Sequence, residues 1–203
     1  MSARPPVAVE RLPGGRRGSS GLTRAQVAAH QRRRILSALA QTVAEKGFPA
    51  ATVADVIAVA GVSRATFYQQ FDDLSGCFLA AFDAASQRVM AALRAVRTSD
   101  LELLLAAYLD VLSDDPAVAK VFLVDIFALG PEGIGRRAAS QRRFAAVVAE
   151  LVGATTAADR FACEAFVAAA ATMVTTRVAA ADLPALRVLR APLAELADRM
   201  LRG

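Results

Sequence analysis

The chain has 203 residues, 55 % of them hydrophobic, which is enough to fill one sizeable core or two smaller ones. Its net charge is +5, and residues 1–74 hold the whole surplus, with ten basic residues against five acidic ones. A positive surplus at one end of a chain is typical of a part that binds a polyanion such as DNA. No stretch alternates apolar and polar residues as a half-exposed strand does, so the sequence predicts an all-helical fold of about nine helices.

The residue types needed for catalysis are scarce. The chain has one histidine, and no glycine-rich phosphate loop, nucleophile–base pair or cluster of metal ligands stands out. We therefore predict neither an enzyme nor a bound cofactor or metal. The two cysteines, Cys77 and Cys163, lie in apolar helical patterns and are interpreted as buried thiols.

Nothing in the sequence predicts a membrane partner. The longest late uncharged run, residues 165–176, is shorter than the ~20 residues that a membrane span requires. The N-terminal arginines are not followed by the apolar stretch of a secretory signal. We expect a cytoplasmic protein.

Residues 1–22 combine proline, glycine and serine with arginines and cannot bury enough apolar surface to fold, so they predict a disordered N-terminal arm. The arm is either a tail without function or a basic extension that contacts a minor groove or phosphates of bound DNA. After it, Thr23 and Gln26 form a capping box that begins a helix, and Gly47 ends that helix after Lys46.

Residues 52–71 predict two short helices joined by a tight turn. Thr52 caps the first helix, Gly61 ends it, and Ser63 caps the second helix. This arrangement is typical of the helix-turn-helix motif, whose second helix lies in the major groove of DNA, although a plain helical hairpin is the alternative. The exposed face of the second helix favours DNA, because its side chains are of the kinds that suit base edges. They are Arg64, Thr66, Tyr68, Gln69 and Gln70.

Several motifs follow one another between about Arg33 and Phe82. They are the stretch 35–48, Ala60-Gly61-Val62-Ser63, Thr66-Phe67-Tyr68 and Phe71-Asp72-Asp73. In these residues and their spacing the chain resembles the TetR-type bacterial transcriptional regulators. The rest of the chain resembles that family only in its helical pattern and its length.

The resemblance implies a three-helix DNA-binding domain over residues 23–74, followed by a helical effector-binding and dimerisation domain over residues 75–203. The residues that it places at or beside the bases are Arg64, Ala65, Thr66 and Tyr68. The residues that it places against phosphates are Thr52, Ser63, Tyr68 and Gln69. Arg33 and Arg34, which precede the core stripe of the first helix, are further candidates for contacts to flanking phosphates.

Two positions depart from the pattern of the family. Gln70 stands where many members have histidine, and Leu74 stands near the position of a phosphate-binding lysine. Asp72 and Asp73 come directly before Leu74, so the usual cation at this point is missing. Asp73 is expected to cap the next helix instead.

The remaining sequence predicts long helices. One covers about 74–96 and links the motif to the next domain. Others are expected at about 100–113 after a Ser99–Glu102 capping box, from Asp115-Pro116 onward, at about 136–152 and at about 159–181. Gly133 and Gly135 predict a mobile loop before residue 136. Pro192 is expected to kink or split the last helix.

Apolar and aromatic side chains after residue 74 are candidates for a ligand cavity, although each also fits a plain core. They are Phe82, Tyr108, Phe122, Phe127, Phe144, Phe166 and Met173. The threonines at 172, 175 and 176 could orient a ligand through hydrogen bonds.

The helix at about 159–181 is apolar nearly all round, and the last helix repeats its apolar residues at 3-4-3-4 spacing. Both therefore need cover, either from a second subunit or from the same chain. We favour a homodimer, because a single helix-turn-helix makes few contacts and a two-fold pair binds two half-sites. The residues predicted at its interface are Val167, Val174, Val178, Leu189, Leu193, Leu196 and Met200.

The sequence thus predicts a sequence-specific DNA-binding regulator, in the form of a homodimeric repressor that a small apolar or amphipathic ligand releases from a palindromic operator. The alternative is a helical ligand-binding or interaction protein of the same fold that has lost operator recognition. Gln70, Leu74 and the two aspartates motivate that alternative.

Overall fold

The computed structural model describes residues 23–96 and 100–201, and the regular structure in these two ranges is entirely helical. The all-α prediction is thereby confirmed, whereas the predicted N-terminal arm and the capping role of Ser99 lie outside the described residues. The helices are α1 (Arg24–Lys46), α2 (Val53–Ala60), α3 (Arg64–Tyr68), α4 (Leu74–Ala95), α5 (Leu101–Asp114), α6 (Pro116–Leu123), α7 (Gly130–Val152), α8 (Ala157–Ala179), α9 (Leu183–Val188) and α10 (Arg190–Leu201), with 3₁₀ turns at Phe48–Ala50 and Asp125–Leu129.

Side-chain caps begin most of these helices, and five were predicted correctly. Thr23 and Thr52 form capping boxes with Gln26 and Asp55, while Ser63, Asp73 and Asp115 accept a backbone N–H at the starts of α3, α4 and α6. Other caps were missed, including the one at the start of α8. Thr156 and Asp159 form a further capping box, so α8 begins at Ala157.

The predicted mobile loop around Gly133 and Gly135 is wrong, because both glycines lie inside α7. α7 begins at Gly130 and packs directly on the 3₁₀ turn before it. A Cβ atom at Gly133 would lie 1.9 Å from the backbone oxygen of Ile126. The glycine therefore allows two backbone segments to approach closely, which does not require a loop.

The last helical region is divided in two, as expected, but the break falls at Leu189 and not at Pro192. Pro192 lies in the first turn of α10, where a proline is tolerated because the first N–H groups have no partner within the helix.

One continuous hydrophobic core extends from α1 to α10 and crosses the expected domain boundary near residue 74. α1 packs against α4 and α6, and Lys120 Nζ on α6 donates to the Ala44 carbonyl oxygen at 3.0 Å. α4, with 22 residues, is about 33 Å long at 1.5 Å per residue. It begins directly after α3 and packs against α5, α6 and α7.

α8 is long and apolar enough to cross a membrane, by length and composition alone, with a mean hydropathy of 1.3. Among the described helices no other meets that test. In the fold, one side of α8 packs into the core through Phe166, Val174 and Val178.

Candidate DNA interface and effector cavity

The short helix α3 presents polar side chains to solvent because its apolar side is anchored. Phe67 is fully buried and Phe71 nearly so. The Ser63 hydroxyl caps the helix by accepting the Thr66 N–H at 3.0 Å. Tyr68 is 48 % exposed and meets the edge of Phe67 at a centroid distance of 5.4 Å.

Most of the predicted DNA-contacting residues in and beside α3 are exposed. Those exposed to solvent are Ser63, Arg64, Ala65, Tyr68 and Gln69, while Thr66 and Gln70 are half-buried. The Arg64 guanidinium carbon lies 5.9 Å from the centroid of the Tyr68 ring, a distance typical of a cation–π contact. The described part of the chain therefore leaves the Arg64 guanidinium, the Gln69 amide and the Tyr68 ring open to solvent.

Thr52 lies exposed at the N-terminus of α2, as a phosphate contact requires. Its hydroxyl donates to Asp55 Oδ2 at 2.7 Å, and Lys46 Nζ lies 2.6 Å from Asp55 Oδ1. Hydrogen bonds, first from Lys46 and then from Thr52, lower the pKa of the Asp55 carboxyl. The carboxylate therefore holds the ends of α1 and α2 together.

The arginines of α1 have separate positions. Arg34 Nη2 donates to the carbonyl oxygens of Ala60 and Gly61, the latter at 3.1 Å, and so braces the turn between α2 and α3. Arg32 Nη1 donates to the Gln70 carbonyl oxygen at 3.0 Å, and its guanidinium carbon lies 4.3 Å from the centroid of the Phe71 ring.

Arg33 is exposed and lines a groove formed by α1, α4 and the start of α6, away from α3. The structure therefore does not bring Arg33 and Arg34 together with the exposed face of α3. The sequence showed three adjacent arginines, but helical geometry turns neighbouring residues by about 100°, so they point in different directions.

The start of α4 offers no cation to a phosphate. Asp73 Oδ1 accepts the Gly76 N–H at 2.7 Å, which is the predicted capping role. Asp72 is exposed and Leu74 is half-buried.

A small apolar cavity of about 50 Å³ lies between α4, α5, α7 and α8. Three of the predicted ligand-contacting residues line it, namely Tyr108, Phe144 and Phe166. Burial raises the pKa of the Tyr108 phenol. Phe82 and Phe122 are fully buried beside the cavity and stack at a centroid distance of 5.1 Å, so they belong to the core around it.

Two residues predicted for this cavity lie on the surface instead. Phe127 is 50 % exposed and Met173 is 42 % exposed. Phe127 lines an open groove of about 330 Å³ together with Thr172, Thr175 and Thr176. Helical spacing does not show which side of the nearly uniformly apolar α8 faces the core, so Met173 was placed on the wrong side. Phe127 lies on the 3₁₀ turn Asp125–Leu129, where the sequence had predicted a regular helix.

Arg137 is the residue that sequence reasoning missed. It is 4 % exposed, and its guanidinium carbon lies 5.2 Å from the centroid of the Phe122 ring. Its Nη1 atom has no hydrogen-bond partner among the described residues. Burial lowers the pKa of the guanidinium, an effect that Tyr108 opposes. The signal was present, because Arg137 shares the buried stripe of α7 with Ser140, Phe144 and Val148.

Most of the predicted dimer contacts are buried within the chain itself. Val167, Val174, Val178, Leu189 and Leu193 are all at most 9 % exposed, Leu196 is half-buried and Met200 is exposed. The prediction is wrong for the five buried residues, because α10 packs against α5 and α8 and completes the leucine seam within one chain.

A different surface of α7 and α8 is open and mostly uncharged, although Arg142 and Glu164 line the same groove. Along α8 it comprises Phe161, Ala165, Ala168 and Thr172, which follow one another at helical spacing, and along α7 it comprises Ile134, Ala138 and Gln141. Phe161 is 71 % exposed and Ile134 is 54 % exposed. We call these seven residues the α7–α8 face.

Comparisons with known proteins agree with this architecture. Residues 35–81 match the family described as bacterial regulatory proteins, tetR family. The fold is similar to that of the fatty acid degradation regulator FadR from Bacillus halodurans, with a TM-score of 0.71 and 19 % identity over 84 % of this chain and 94 % of that chain.

Two further solved structures are similar. A TetR transcription regulator from Haloarcula marismortui ATCC 43049 has a TM-score of 0.69 and 22 % identity over 85 % of this chain and 99 % of that chain. A TetR-like transcriptional regulator from Rhodococcus sp. RHA1 has a TM-score of 0.65 and 21 % identity over 85 % and 96 %. No curated protein gave a significant match.

The matched segment begins within α1, includes α2 and α3 and ends within α4, so it contains the helix-turn-helix described above. The structural similarities extend over most of the chain and establish the fold of the remaining helices. The chain therefore contains a helix-turn-helix segment that matches the tetR family of bacterial regulatory proteins, within a fold similar to that of TetR-type transcription regulators.

Proposed function

We propose that the protein is a homodimeric repressor that binds a palindromic operator and leaves it when a small ligand occupies the helical part after residue 74. The observation that carries this proposal is the exposed polar face of α3, with Arg64, Tyr68 and Gln69 uncovered on a helix anchored by Phe67. Arg and Gln side chains pair with guanine and adenine edges in a major groove. Residues 23–74 would then bind DNA, and residues 75–203 would bind the effector and the second subunit.

The α7–α8 face is the surface that we assign to the homodimer. It is uncharged, it lies on two adjacent long helices, and its alanines allow a partner helix to approach closely. Two such pairs related by a two-fold axis would form a four-helix bundle. A symmetric dimer presents two α3 helices to two half-sites, which matches the symmetry of a palindrome.

The small apolar cavity is the site that we assign to the effector. Leu93 of α4 lines it, and the other end of α4 follows α3 directly. A ligand that enlarges the cavity would displace α4 and change the separation of the two α3 helices. For release, the ligand must bind the DNA-incompetent arrangement more tightly than the competent one. The similarity to a regulator of fatty acid degradation supports an apolar or amphipathic metabolite.

Selection of bound duplexes from a random library tests the DNA-binding part. We expect a palindromic sequence with half-sites about one helical turn, or a multiple of it, apart. Arg64→Ala should relax base preference at one position per half-site by about 1–3 kcal/mol. Arg160→Ala removes an exposed arginine of α8 and serves as the matched control. Failure to enrich any duplex would instead favour a protein of this fold that has lost operator recognition.

A further inference from the structure

Arg137 carries a charge that the described part of the chain does not pair. Arg137 is only 4 % exposed, and its buried Nη1 atom has no hydrogen-bond partner among the described residues. The groups that face it are the ring of Phe122 and the phenol of Tyr108. A buried charge without an acceptor is costly, and a cation–π contact replaces only part of its hydration.

The position of Arg137 joins two spaces. Tyr108, whose phenol interacts electrostatically with the guanidinium, lines the apolar cavity. Arg137 itself lines the groove that contains Phe127 and Thr172, and the proposed second subunit would border this groove because four residues of the α7–α8 face line it. Ala171 lines both spaces, so the cavity and the groove lie next to each other at α8, near this arginine.

The two spaces differ in chemistry. The cavity is lined by side chains without charge, including Leu105, Phe144 and Phe166, and suits a hydrocarbon or aromatic group. The groove offers the threonine hydroxyls and the unpaired guanidinium. A molecule that fills both would have an apolar tail and a short polar head with negative charge.

We propose that the effector is an amphipathic monocarboxylate whose carboxylate pairs with Arg137 while its apolar tail occupies the cavity. A carboxylate accepts two parallel N–H bonds from a guanidinium, which makes it the acceptor best suited to this side chain. This inference rests on the proposed effector site and adds to it the charge of the ligand and the residue that selects it.

The test uses the full chain without DNA and compares acids with alcohols of the same carbon skeleton. Hexanoate, octanoate, decanoate and phenylacetate are titrated against 1-hexanol, 1-octanol, 1-decanol and 2-phenylethanol by calorimetry. We expect at least one acid to bind about tenfold or more tightly than its alcohol, because only the acid satisfies the buried guanidinium. Equal or weaker binding of every acid would overturn the proposal.

Variants separate recognition from folding. Arg137→Met keeps the apolar stem but should abolish the preference for acid over alcohol, and it should raise the melting temperature of the unliganded protein. Arg137→Lys keeps the charge without the planar guanidinium and should retain part of the preference for acid over alcohol. It serves as the second test if Arg137→Met does not fold. Arg136→Met, on the exposed neighbour that pairs with Asp83, should leave the preference intact. A preference that survives in Arg137→Met would show that the arginine is only structural.

DNA release distinguishes the two proposals. An acid that binds through Arg137 without releasing DNA would contradict the proposed ligand response and leave the carboxylate assignment standing. Release by alcohols and acids alike would support the ligand response and contradict the carboxylate assignment.

Discussion

Arg34 illustrates how a side chain of one helix can stabilise the turn of the helix-turn-helix. Its guanidinium bonds the carbonyl oxygen of Ala60, the last residue of α2, and that of Gly61, which adopts a left-handed conformation with φ of 61°. These carbonyl oxygens have no partner within the helix, so the arginine supplies one. The angle between α2 and α3 therefore depends on a residue of α1.

Replacing Arg34 tests whether this residue stabilises the turn between α2 and α3 or contacts a phosphate. Arg34→Leu should lower the free energy of unfolding by about 1.5–3 kcal/mol, the range for hydrogen bonds to charged groups. Arg33→Leu, on the exposed neighbour, should change it by less than about 0.5 kcal/mol. Urea denaturation measures both. If Arg33→Leu lowered the free energy of unfolding as much as Arg34→Leu, the stabilising role assigned to Arg34 would be contradicted.

The same pair of variants tests the predicted phosphate contacts. A residue that pairs with one phosphate changes the slope of log K against log salt concentration by about 0.9. We expect Arg34→Leu to weaken binding with an unchanged slope, because its nitrogen is engaged with the turn. A smaller slope in Arg33→Leu would show that this exposed arginine contacts the backbone after all.

The two cysteines give a further test at the residue scale. Cys77 and Cys163 are buried, and burial raises the pKa of the Cys77 thiol to about 12 and also raises that of Cys163. Because the thiolate is the reactive form, neither should react with Ellman's reagent within minutes at pH 8. Two thiols should react in guanidinium chloride. Rapid labelling of the native protein would show that the surrounding helices open readily.

At the scale of elements, the junction of the 3₁₀ turn and α7 depends on close backbone approach. Gly133→Ala places a Cβ against the Ile126 carbonyl group and should lower the free energy of unfolding by about 1–3 kcal/mol. Gly135→Ala, two residues along the same helix with open space around it, should raise it by about 0.5–1 kcal/mol. Denaturant midpoints compare the two. Stabilisation by both substitutions would mean that α7 begins later than Gly130.

Helix starts could be predicted from the sequence because their causes are local. Thr23, Thr52 and Asp115 act on N–H groups two or three residues away, so the chain nearby contains the whole interaction. The unassigned cap at Thr156 has the same Thr-x-x-Asp pattern as Thr52. It could have been found by the same rule.

The incorrect predictions concern which helix or subunit a side chain packs against in the folded protein. Leu189 and Leu193 show an apolar seam, but the sequence does not state whether α5 and α8 of the same chain or a second subunit fills it. The prediction for Met173 is wrong for the same reason. Arg137 was missed because only apolar residues were considered for the buried side of α7, although its spacing from Phe144 placed it on that side.

For the molecule as a whole, the assembly should depend on the α7–α8 face. Ala168→Arg puts a charged side chain at the middle of that face and should convert dimers to monomers, because an unpaired charge at an interface is costly to desolvate. Ala91→Arg, on an exposed position of α4, should leave the dimer intact. Light scattering during gel filtration measures the mass. A dimer that survives in Ala168→Arg would place the interface elsewhere.

The bond between Lys120 and Ala44 has a mechanical consequence. Because α1 is attached to α6 as well as to α4, a displacement of α4 near residue 74 would have to move α1 and α6 with it. In the proposed homodimer, such a displacement would change the separation of the two α3 helices. A tilt of about 6° over the roughly 33 Å of α4 moves its far end by about 3 Å, which is the length of a hydrogen bond. In the proposed regulator, a small rotation of α4 would therefore be sufficient to move α3 out of register with a groove.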